Sequence, residues 1–433
     1  MHRRTAAASF VILVLSQSPA IGETPPSAAF TPAEMEKILR HSPLPPVPDD
    51  PSNAVATSRR AARLGQRLFY DTRGSASGIV SCATCHDPKR DWSNGRNVGT
   101  LDARFPRNVP SLWNIAYGRW FFWDGRADSM WAQALGPMEN PVEMNGNRLG
   151  YARLVRNDRR LKRRYERVFG PLPDLDDALR FPRVAKPTPP TPDEPANLAW
   201  LAMTKADRES IDRVFSNLGK AIAAYERALI STDSPFDRFV RDLRAGAASP
   251  GGLDESAQRG LKLFVGKGQC SICHSGPNFT DREFHDLGRP SGYMRRDPGR
   301  AGGYRLVVAD PFNRLGLLSD STSGALVRFV PEAGGPSTQA IGQFKTPTLR
   351  SVAQTAPYMH DGRITTLRDV AVFYSTLGGS IFGHRERILK PLQLSGAQID
   401  DLVSFLNTLT GAPIRPSLLG PPLGRRAATR HKE

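Results

Sequence analysis

All four cysteines of the chain lie in two copies of one short motif, Cys-x-x-Cys-His. Two thiols at this spacing can add to the two vinyl groups on one edge of a porphyrin. The histidine that follows then lies beneath the iron, where a neutral imidazole is a good axial ligand. The pattern therefore predicts two covalently attached haems of the c type. The residues concerned are Cys82, Cys85 and His86 in the first copy and Cys270, Cys273 and His274 in the second.

Three other uses of paired cysteines compete with this interpretation. A thioredoxin-like redox pair needs one Cys-x-x-Cys and no histidine after it. A zinc site built from four thiolates would leave both histidines unexplained. Two structural disulfides would suit an exported protein, but Cys-x-x-Cys pairs rarely close purely structural bridges. Two copies of the full motif, which together use every cysteine, favour haem.

The sequence around the two motifs is duplicated, which indicates two domains of the same plan. Residues 64–69 read Leu-Gly-Gln-Arg-Leu-Phe before the first motif, and residues 259–264 read Arg-Gly-Leu-Lys-Leu-Phe before the second. Each segment is typical of the end of an amphipathic helix that leads into a haem loop. Downstream, Pro110 precedes a Trp-Asp-Gly-Arg segment by the same 13 residues that separate Pro347 from His-Asp-Gly-Arg.

These elements predict a mainly α fold, with two tandem c-type cytochrome domains, long loops, and haems near the domain interface. Each domain should contain a helix, the haem loop, a proline-led segment, an Asp-Gly turn and a further helix. Residues 395–409 match the closing helix of the second domain, and Ser395 with Gln398 would form a capping box at its start.

The length of 433 residues allows two domains of ordinary size. The predicted organisation is a signal peptide at 1–22, an N-terminal extension at 23–57, a first haem domain at 58–240 with an insertion at 157–205, a second haem domain at 241–412, and a basic tail at 413–433 that we expect to be disordered. The sequence suggests no purpose for the insertion.

The first 22 residues are typical of a secretory signal. Residues 2–4 are a short basic segment, residues 6–15 are apolar, and Ala20 and Gly22 provide a small-x-small cleavage site. The apolar run is too short to span a bilayer. We therefore expect a periplasmic protein without stable membrane insertion, and the alternative is an uncleaved interfacial anchor.

The formal net charge is +17, of which +15 remains once residues 1–22 are removed. Such a balance favours acidic partners and carries no information about fold. No basic patch interleaved with aromatic residues and no nucleic-acid motif is present, so nucleic acid is not an expected partner.

The two halves resemble the bacterial di-haem cytochrome c peroxidases and the MauG-like proteins over residues 58–412. The resemblance implies that the first haem domain is peroxidatic and that the second transfers electrons, with His86 and His274 as the proximal ligands. It is carried by the haem motifs, by Phe-Trp-Asp-Gly-Arg at 122–126, Val-Glu-Met at 142–144, Ser-Pro-Phe-Asp at 234–237, and Thr-Ala-Pro-Tyr-Met-His-Asp-Gly at 355–362.

The resemblance also implies roles for other residues. Trp123 matches a tryptophan that relays electrons between the haems, although a core aromatic is the commoner role of Trp. Glu143 matches an acid that moves a proton between the peroxide oxygens, with a surface loop glutamate as the alternative. Asn108, Thr355 and Pro357 match the ligands of an inter-haem Ca²⁺, an ion that prefers oxygen donors. The alternative for Asn108 is a turn residue.

Two departures from the peroxidase pattern point to the MauG-like members. Residues 97–101 contain no histidine where ordinary peroxidases have a removable ligand, so the first haem should rest five-coordinate or water-bound. Fourteen residues after His360, Tyr374 stands where peroxidases have a methionine ligand and MauG-like proteins have tyrosine. Tyrosinate is an anionic donor that stabilises high oxidation states. A core tyrosine, with Met359 or His360 as the ligand, is the alternative.

The same 14-residue step from Trp123 reaches Pro137, which cannot bind iron, so the first haem keeps an open distal face. The leading hypothesis is a MauG-like enzyme that uses hydrogen peroxide to form a high-valent di-haem state and oxidises a protein partner, expected to be acidic. The alternatives are a conventional peroxidase fed by a small cytochrome or cupredoxin, and a di-haem electron-transfer protein without peroxide chemistry.

Overall fold

The computed structural model describes residues 30–96, 107–187, 193–289, 297–321, 338–379 and 382–422. The predicted signal peptide and the histidine-free segment 97–101 lie outside these ranges. The described residues form thirteen α-helices and one two-stranded antiparallel sheet, in which Phe284 is opposite Lys345. None of these helices is long and apolar enough to cross a membrane.

The elements follow one another along the chain with many irregular connections. They are α1 (Pro32–Leu39), α2 (Arg59–Phe69), α3 (Cys82–Cys85), α4 (Met130–Glu139), α5 (Arg148–Asn157), α6 (Arg159–Phe169), α7 (Pro195–Ala202), α8 (Lys205–Glu226), α9 (Pro235–Arg244), α10 (Glu255–Val265), β1 (Phe284–His285), α11 (Arg300–Ala309), β2 (Phe344–Lys345), α12 (Leu367–Thr376) and α13 (Gly396–Asn407).

The duplication appears as the same helix crossing in both halves. Helix α2 packs on α8 in the first half, and α10 packs on α13 in the second. A Cβ atom on Gly65 would lie 1.8 Å from the carbonyl oxygen of Ala221, and one on Gly260 would lie 1.9 Å from that of Asp401. Glycine is required at both crossings. Any other residue has a Cβ atom, which would keep the two helix backbones from approaching so closely.

The closing helix of the second half begins where the sequence predicts. Ser395 is the N-cap of α13, its hydroxyl accepts a hydrogen bond from the Gln398 amide, and the Gln398 side chain accepts one from the Ser395 amide. This reciprocal pair is the expected capping box.

Two hydrophobic cores correspond to the two halves. The first gathers residues between Leu64 and Leu229 together with Phe312, and the second gathers residues between Phe236 and Leu409 together with Ile38. The N-terminal extension thus packs on the second half through Ile38. The domain boundaries themselves stay predictions.

The end of the described chain corrects one expectation. Residues 413–422 belong to the tail expected to be disordered, yet residues 416–418 form a 3₁₀ turn. The hydroxyl of Tyr225 donates to the Leu418 carbonyl at 2.6 Å, and the Gln66 amide donates to the carbonyls of Ser417 and Gly420. These partly buried bonds hold the segment on the first half, and residues from 423 onward lie outside the described ranges.

Candidate haem sites

The first Cys-x-x-Cys-His motif forms one helical turn that presents His86 to a buried space. The amide of His86 donates to the Cys82 carbonyl at 2.9 Å, and its Nδ1 lies 3.1 Å from the carbonyl oxygen of Trp92. With Nδ1 bonded to a carbonyl, Nε2 carries the lone pair that can bind a metal. Burial lowers the pKa of His86 to about 4, against the opposing effect of the Trp92 and Pro110 carbonyls, so the ring is neutral at pH 7.

The second motif repeats this geometry. The amide of His274 donates to the Cys270 carbonyl at 2.9 Å, and its Nδ1 lies 3.0 Å from the Phe279 carbonyl oxygen. Burial lowers the pKa of His274, and the Pro347 carbonyl partly opposes this shift. Pro110 and Pro347 are the corresponding prolines of the duplication. Both histidines are therefore oriented by the same two kinds of backbone carbonyl.

The state of the thiols bears on the competing interpretations. No disulfide bond joins the four cysteines. Burial raises the pKa of Cys82 above its usual range and that of Cys270 to about 12, which opposes formation of a reactive or zinc-binding thiolate. Within the described ranges no cluster brings four cysteines together as zinc ligands. Neutral thiols at Cys82 and Cys270, each four residues before a neutral imidazole, suit covalent haem attachment.

The predicted acid Glu143 lies in the loop after α4 and is largely buried. Its Oε2 accepts a hydrogen bond from the Asn140 amide at 2.6 Å. Burial raises the pKa of Glu143, while the charge of Arg126 and the bond from Asn140 oppose the shift. The raised pKa makes Glu143 easier to protonate than a carboxyl group in water, which suits the proposed proton shuttle.

Pro137 lies within α4, shortly before the Glu143 loop. Gln133 is one helical turn earlier and therefore on the same side of the helix. The guanidinium of Arg126 lies 3.6 Å from the ring centre of Phe122 and 3.0 Å from Asp124. The charge of Arg126 also acts on Glu143, so a guanidinium and a carboxyl group of the first haem domain lie near each other.

Trp123 lies where the two halves meet. Its indole Nε1 donates to the Asn108 carbonyl at 2.9 Å, and the Asn108 amide donates to the His360 carbonyl at 2.8 Å. The Trp123 carbonyl in turn accepts from the Lys345 amide at 2.8 Å. Trp123 and His360 occupy corresponding positions of the duplication, so Asn108 joins the two copies by hydrogen bonds.

Asn108 and Pro357, two of the predicted calcium ligands, are in contact. The Asn108 side-chain nitrogen lies 2.6 Å from the Pro357 carbonyl oxygen, while its side-chain oxygen is buried and has no partner in the described structure. The hydroxyl of Thr355 donates to the Val352 carbonyl at 3.2 Å. An orphaned buried oxygen beside a backbone carbonyl is a donor set that fits Ca²⁺, because this cation takes oxygen ligands only.

Tyr374 lies on α12 beside the second motif. Burial raises the pKa of its hydroxyl, and the nearby thiols of Cys270 and Cys273 raise it further, whereas Arg289 opposes them. His360, one alternative ligand, stacks on Phe344 with ring centres 3.7 Å apart. Tyr374 is thus near enough to the attachment cysteines to feel their charges, and the choice between Tyr374, Met359 and His360 as ligand stays a prediction.

Comparison of the sequence with known proteins shows which family the chain belongs to. Residues 59–245 match the family model described as di-haem cytochrome c peroxidase. The methylamine utilization protein MauG of Methylorubrum extorquens is 34% identical over 380 residues, which cover 85% of this chain and 82% of that protein. The chain belongs to the di-haem cytochrome c peroxidase and MauG family. It is therefore a di-haem oxidoreductase of the peroxidase type.

Other relatives in the family include named peroxidases. Cytochrome-c peroxidase IdrP1 of Pseudomonas sp. (strain SCT) is 30% identical over 381 residues, covering 85% of each protein. The diheme peroxidase BthA of Burkholderia thailandensis has a similar fold, with a TM-score of 0.59 at 24% identity over 84% of this chain and 89% of that one. The predicted mainly α fold is confirmed, and the family includes both MauG and ordinary peroxidases.

Proposed function

We propose that the chain is an exported, MauG-like enzyme in which hydrogen peroxide provides the oxidising equivalents for oxidation of a protein partner. The observation that carries this proposal is the asymmetry of the two halves. Tyr374 lies beside Cys270 and Cys273, while Pro137 stands at the corresponding position of the first half. The second half would thus offer a phenol oxygen that becomes an anionic ligand when it binds iron, and the first half would leave a face open to peroxide.

Bound haems would supply an open iron in the first half for peroxide and a second iron that stores oxidising equivalents. The chain's own part begins with Nε2 of His86 and of His274, which would hold the two irons. Their Nδ1 contacts with backbone carbonyls fix the orientation of each ring. The thiols of the two motifs would carry the thioether bonds.

Glu143 would handle the protons of the peroxide reaction. One peroxide molecule takes up two electrons and two protons to give two water molecules, so a proton must reach the departing oxygen. A carboxyl group whose pKa is raised by burial can hold that proton until it is needed. Arg126 limits this shift and keeps Glu143 able to ionise again.

Trp123 and Asn108 would connect the halves electronically and mechanically. The indole is bonded to the Asn108 carbonyl, and the Asn108 amide is bonded to the second half at His360. Ca²⁺ held by Asn108, Thr355 and Pro357 would fix this junction, because the ligands come from both halves. We propose this ion as the second cofactor.

Peroxide added to the resting diferric protein tests the proposal. We expect both ferric electron paramagnetic resonance signals to be lost without prior reduction. A response only after half-reduction would identify a conventional peroxidase instead, and no response would leave an electron-transfer protein. Both outcomes would contradict the proposal.

The ligand assignment needs its own pair of variants. We expect Tyr374→Met to change the low-spin ferric signal of the second haem, since the axial donor changes from oxygen to sulfur. Met359→Leu serves as the matched control, because Met359 is the neighbouring alternative. A signal that moves with Met359→Leu and not with Tyr374→Met would remove Tyr374 from the assignment.

A further inference from the structure

A buried lysine connects the segment at 157–205, for which the sequence suggests no purpose, to the loop that follows α4. Lys186 is 7% exposed, and its Nζ donates to the carbonyl oxygens of Glu139 and Gly146 at 3.4 and 3.1 Å. The same Nζ donates to the side-chain oxygen of Asn145 at 3.2 Å. A lysine ammonium has three donors, so these contacts use its full capacity.

The three acceptors lie at the two ends of the loop that contains Glu143. We call residues 139–146 the Glu143 loop. Inside it, the Glu143 amide donates to the Asn140 carbonyl at 3.0 Å, and the Asn140 side chain donates to the Glu143 carboxylate. These local bonds set Glu143 relative to Asn140. Lys186 in turn joins the first residue of the loop to its last two.

The ammonium of Lys186 depends on this loop for its stability in the protein interior. It forms no salt bridge in the part of the chain that the structure describes, and the Glu139 carboxylate is held by Arg148 at 2.6 Å. A buried charge is costly unless hydrogen bonds compensate for the lost water. Here the compensation comes from oxygens of the Glu143 loop, so the lysine is satisfied only while the loop keeps its shape.

The backbone around Lys186 is fixed from outside the loop. Phe181 and Ala185 are buried in the first hydrophobic core. The guanidinium of Arg153 donates to the Phe181 carbonyl, and the Lys186 amide donates to the Ala196 carbonyl at 3.2 Å. The lysine therefore reaches the Glu143 loop from a firm base in the core of the first half.

We propose that Lys186 is a positioning residue that holds Glu143 in place for proton transfer in the first haem domain. This inference rests on the proposed function, because it needs Glu143 to handle protons, and it gives the segment at 157–205 a purpose. Lys186 acts through the Glu143 loop by its three hydrogen bonds and transfers no proton itself. A displacement of about 1 Å in an acid–base group can cost about 100-fold in rate, so a fixed loop matters.

Hydrogen exchange in the diferric holo-protein measures the positioning without peroxide. Lys186→Met removes the ammonium and keeps an unbranched side chain of similar length. We expect the amides of the Glu143 loop to exchange about tenfold faster or more in this variant, because opening of the loop no longer breaks the three bonds. Lys205→Met removes the same charge from an exposed position and should leave this exchange unchanged. Unchanged exchange in Lys186→Met would overturn the proposal.

A second pair of variants changes the acceptor instead of the lysine, and it serves if Lys186→Met does not fold. Asn145 has a φ of 46°, a conformation that glycine and aspartate also adopt. Asn145→Gly removes one acceptor and should speed exchange in the Glu143 loop. Asn145→Asp keeps an oxygen for the ammonium and should not. Equal acceleration in both variants would contradict the role of the Lys186 contact.

Kinetics tests whether Lys186 acts through Glu143. We expect the second-order rate constant for peroxide and the diferric protein to fall by about tenfold to 100-fold in Lys186→Met. It should stay within about twofold in Lys205→Met. In the Glu143→Gln background the acid is already absent, so adding Lys186→Met should cause no further loss. A further loss of the same size there would show a merely structural role and overturn the proposal.

Cyanide separates failure of the positioning from failure of the proposed function. As hydrogen cyanide binds to an open ferric iron, its proton must pass to a base, and the cyanide anion becomes the ligand. Association should therefore slow in Lys186→Met as it does in Glu143→Gln. If the unmodified protein binds cyanide but does not react with peroxide, the proposed function fails, while slow association in Lys186→Met still supports the positioning of Glu143. Slow association in Glu143→Gln alone would overturn the role of Lys186.

Discussion

Glu226 offers a stability prediction that depends on one buried group. It is the last residue of α8, its side chain is buried, and its Oε2 has no hydrogen-bond partner in the described structure. Burial raises the pKa of Glu226 from 4.5 to about 8. The folded protein therefore holds a proton on this carboxyl over a pH range in which the unfolded chain has released it.

The pKa shift fixes the direction and the size of the effect. A raised pKa means that the folded state binds the extra proton, so the free energy of unfolding falls as the pH rises from 4.5 towards 8. Each unit of pKa corresponds to about 1.4 kcal/mol, so the full loss is about 5 kcal/mol by pH 8 and above. Glu226→Gln replaces the protonated acid by a neutral isostere and should abolish this loss.

The assay is urea unfolding of the holo-protein at pH values near 5, 7 and 9. We expect Glu226→Gln to match the unmodified protein near pH 5 and to be more stable near pH 9. Glu209→Gln, an exposed position on the same helix, is the matched control and should follow the unmodified protein throughout. Parallel pH profiles for the unmodified protein and Glu226→Gln would refute the assignment of a buried proton to Glu226.

Three further predictions concern the frame that holds the sites. Gly260→Ala should lower the free energy of unfolding by about 1 to 3 kcal/mol, because the added Cβ atom would clash with the Asp401 carbonyl. Gly420 has open space around it, so Gly420→Ala is the control and should leave the free energy unchanged. Urea titration measures both variants. Asp237→Asn should destabilise by about 3 to 5 kcal/mol in the same assay, because it leaves the fully buried Arg350 unpaired, and exposed Asp233→Asn serves as its control. Removal of Ca²⁺ by a chelator should lower the melting temperature of the unmodified protein but not that of Asn108→Ala, and an equal response in both would argue against the proposed ion site.

Local patterns predicted much of the fold and the site. The paired motifs place two histidines in equivalent carbonyl-bonded positions because each motif is a short, self-contained turn. The capping box at Ser395 is likewise encoded within four residues. Only one turn and part of one short helix separate His360 from Tyr374. The number of residues between them is therefore a good guide to their relative positions in the fold.

Features that depend on contacts between distant chain segments could not be predicted from the sequence. The unpartnered carboxyl of Glu226 looks on paper like an ordinary helix-end glutamate, and only its packing shows that it is buried. The bond from Asn108 to His360 joins residues of different halves.

Each end of the described chain packs on the half that is more distant in sequence. The N-terminal segment contacts the second half and the C-terminal segment contacts the first, which has a consequence for biosynthesis. Near the beginning, Nε2 of His41 lies 3.0 Å from the carbonyl oxygen of His274, and the amine of Lys37 donates to the Val265 carbonyl. Near the end, Leu418 accepts a hydrogen bond from Tyr225. The earliest of these segments to be translated must wait for residues made more than 200 positions later, and the last one closes onto a half made long before. A chain interrupted between the halves would therefore leave the segment around His41 and the surface around Tyr225 without their partners.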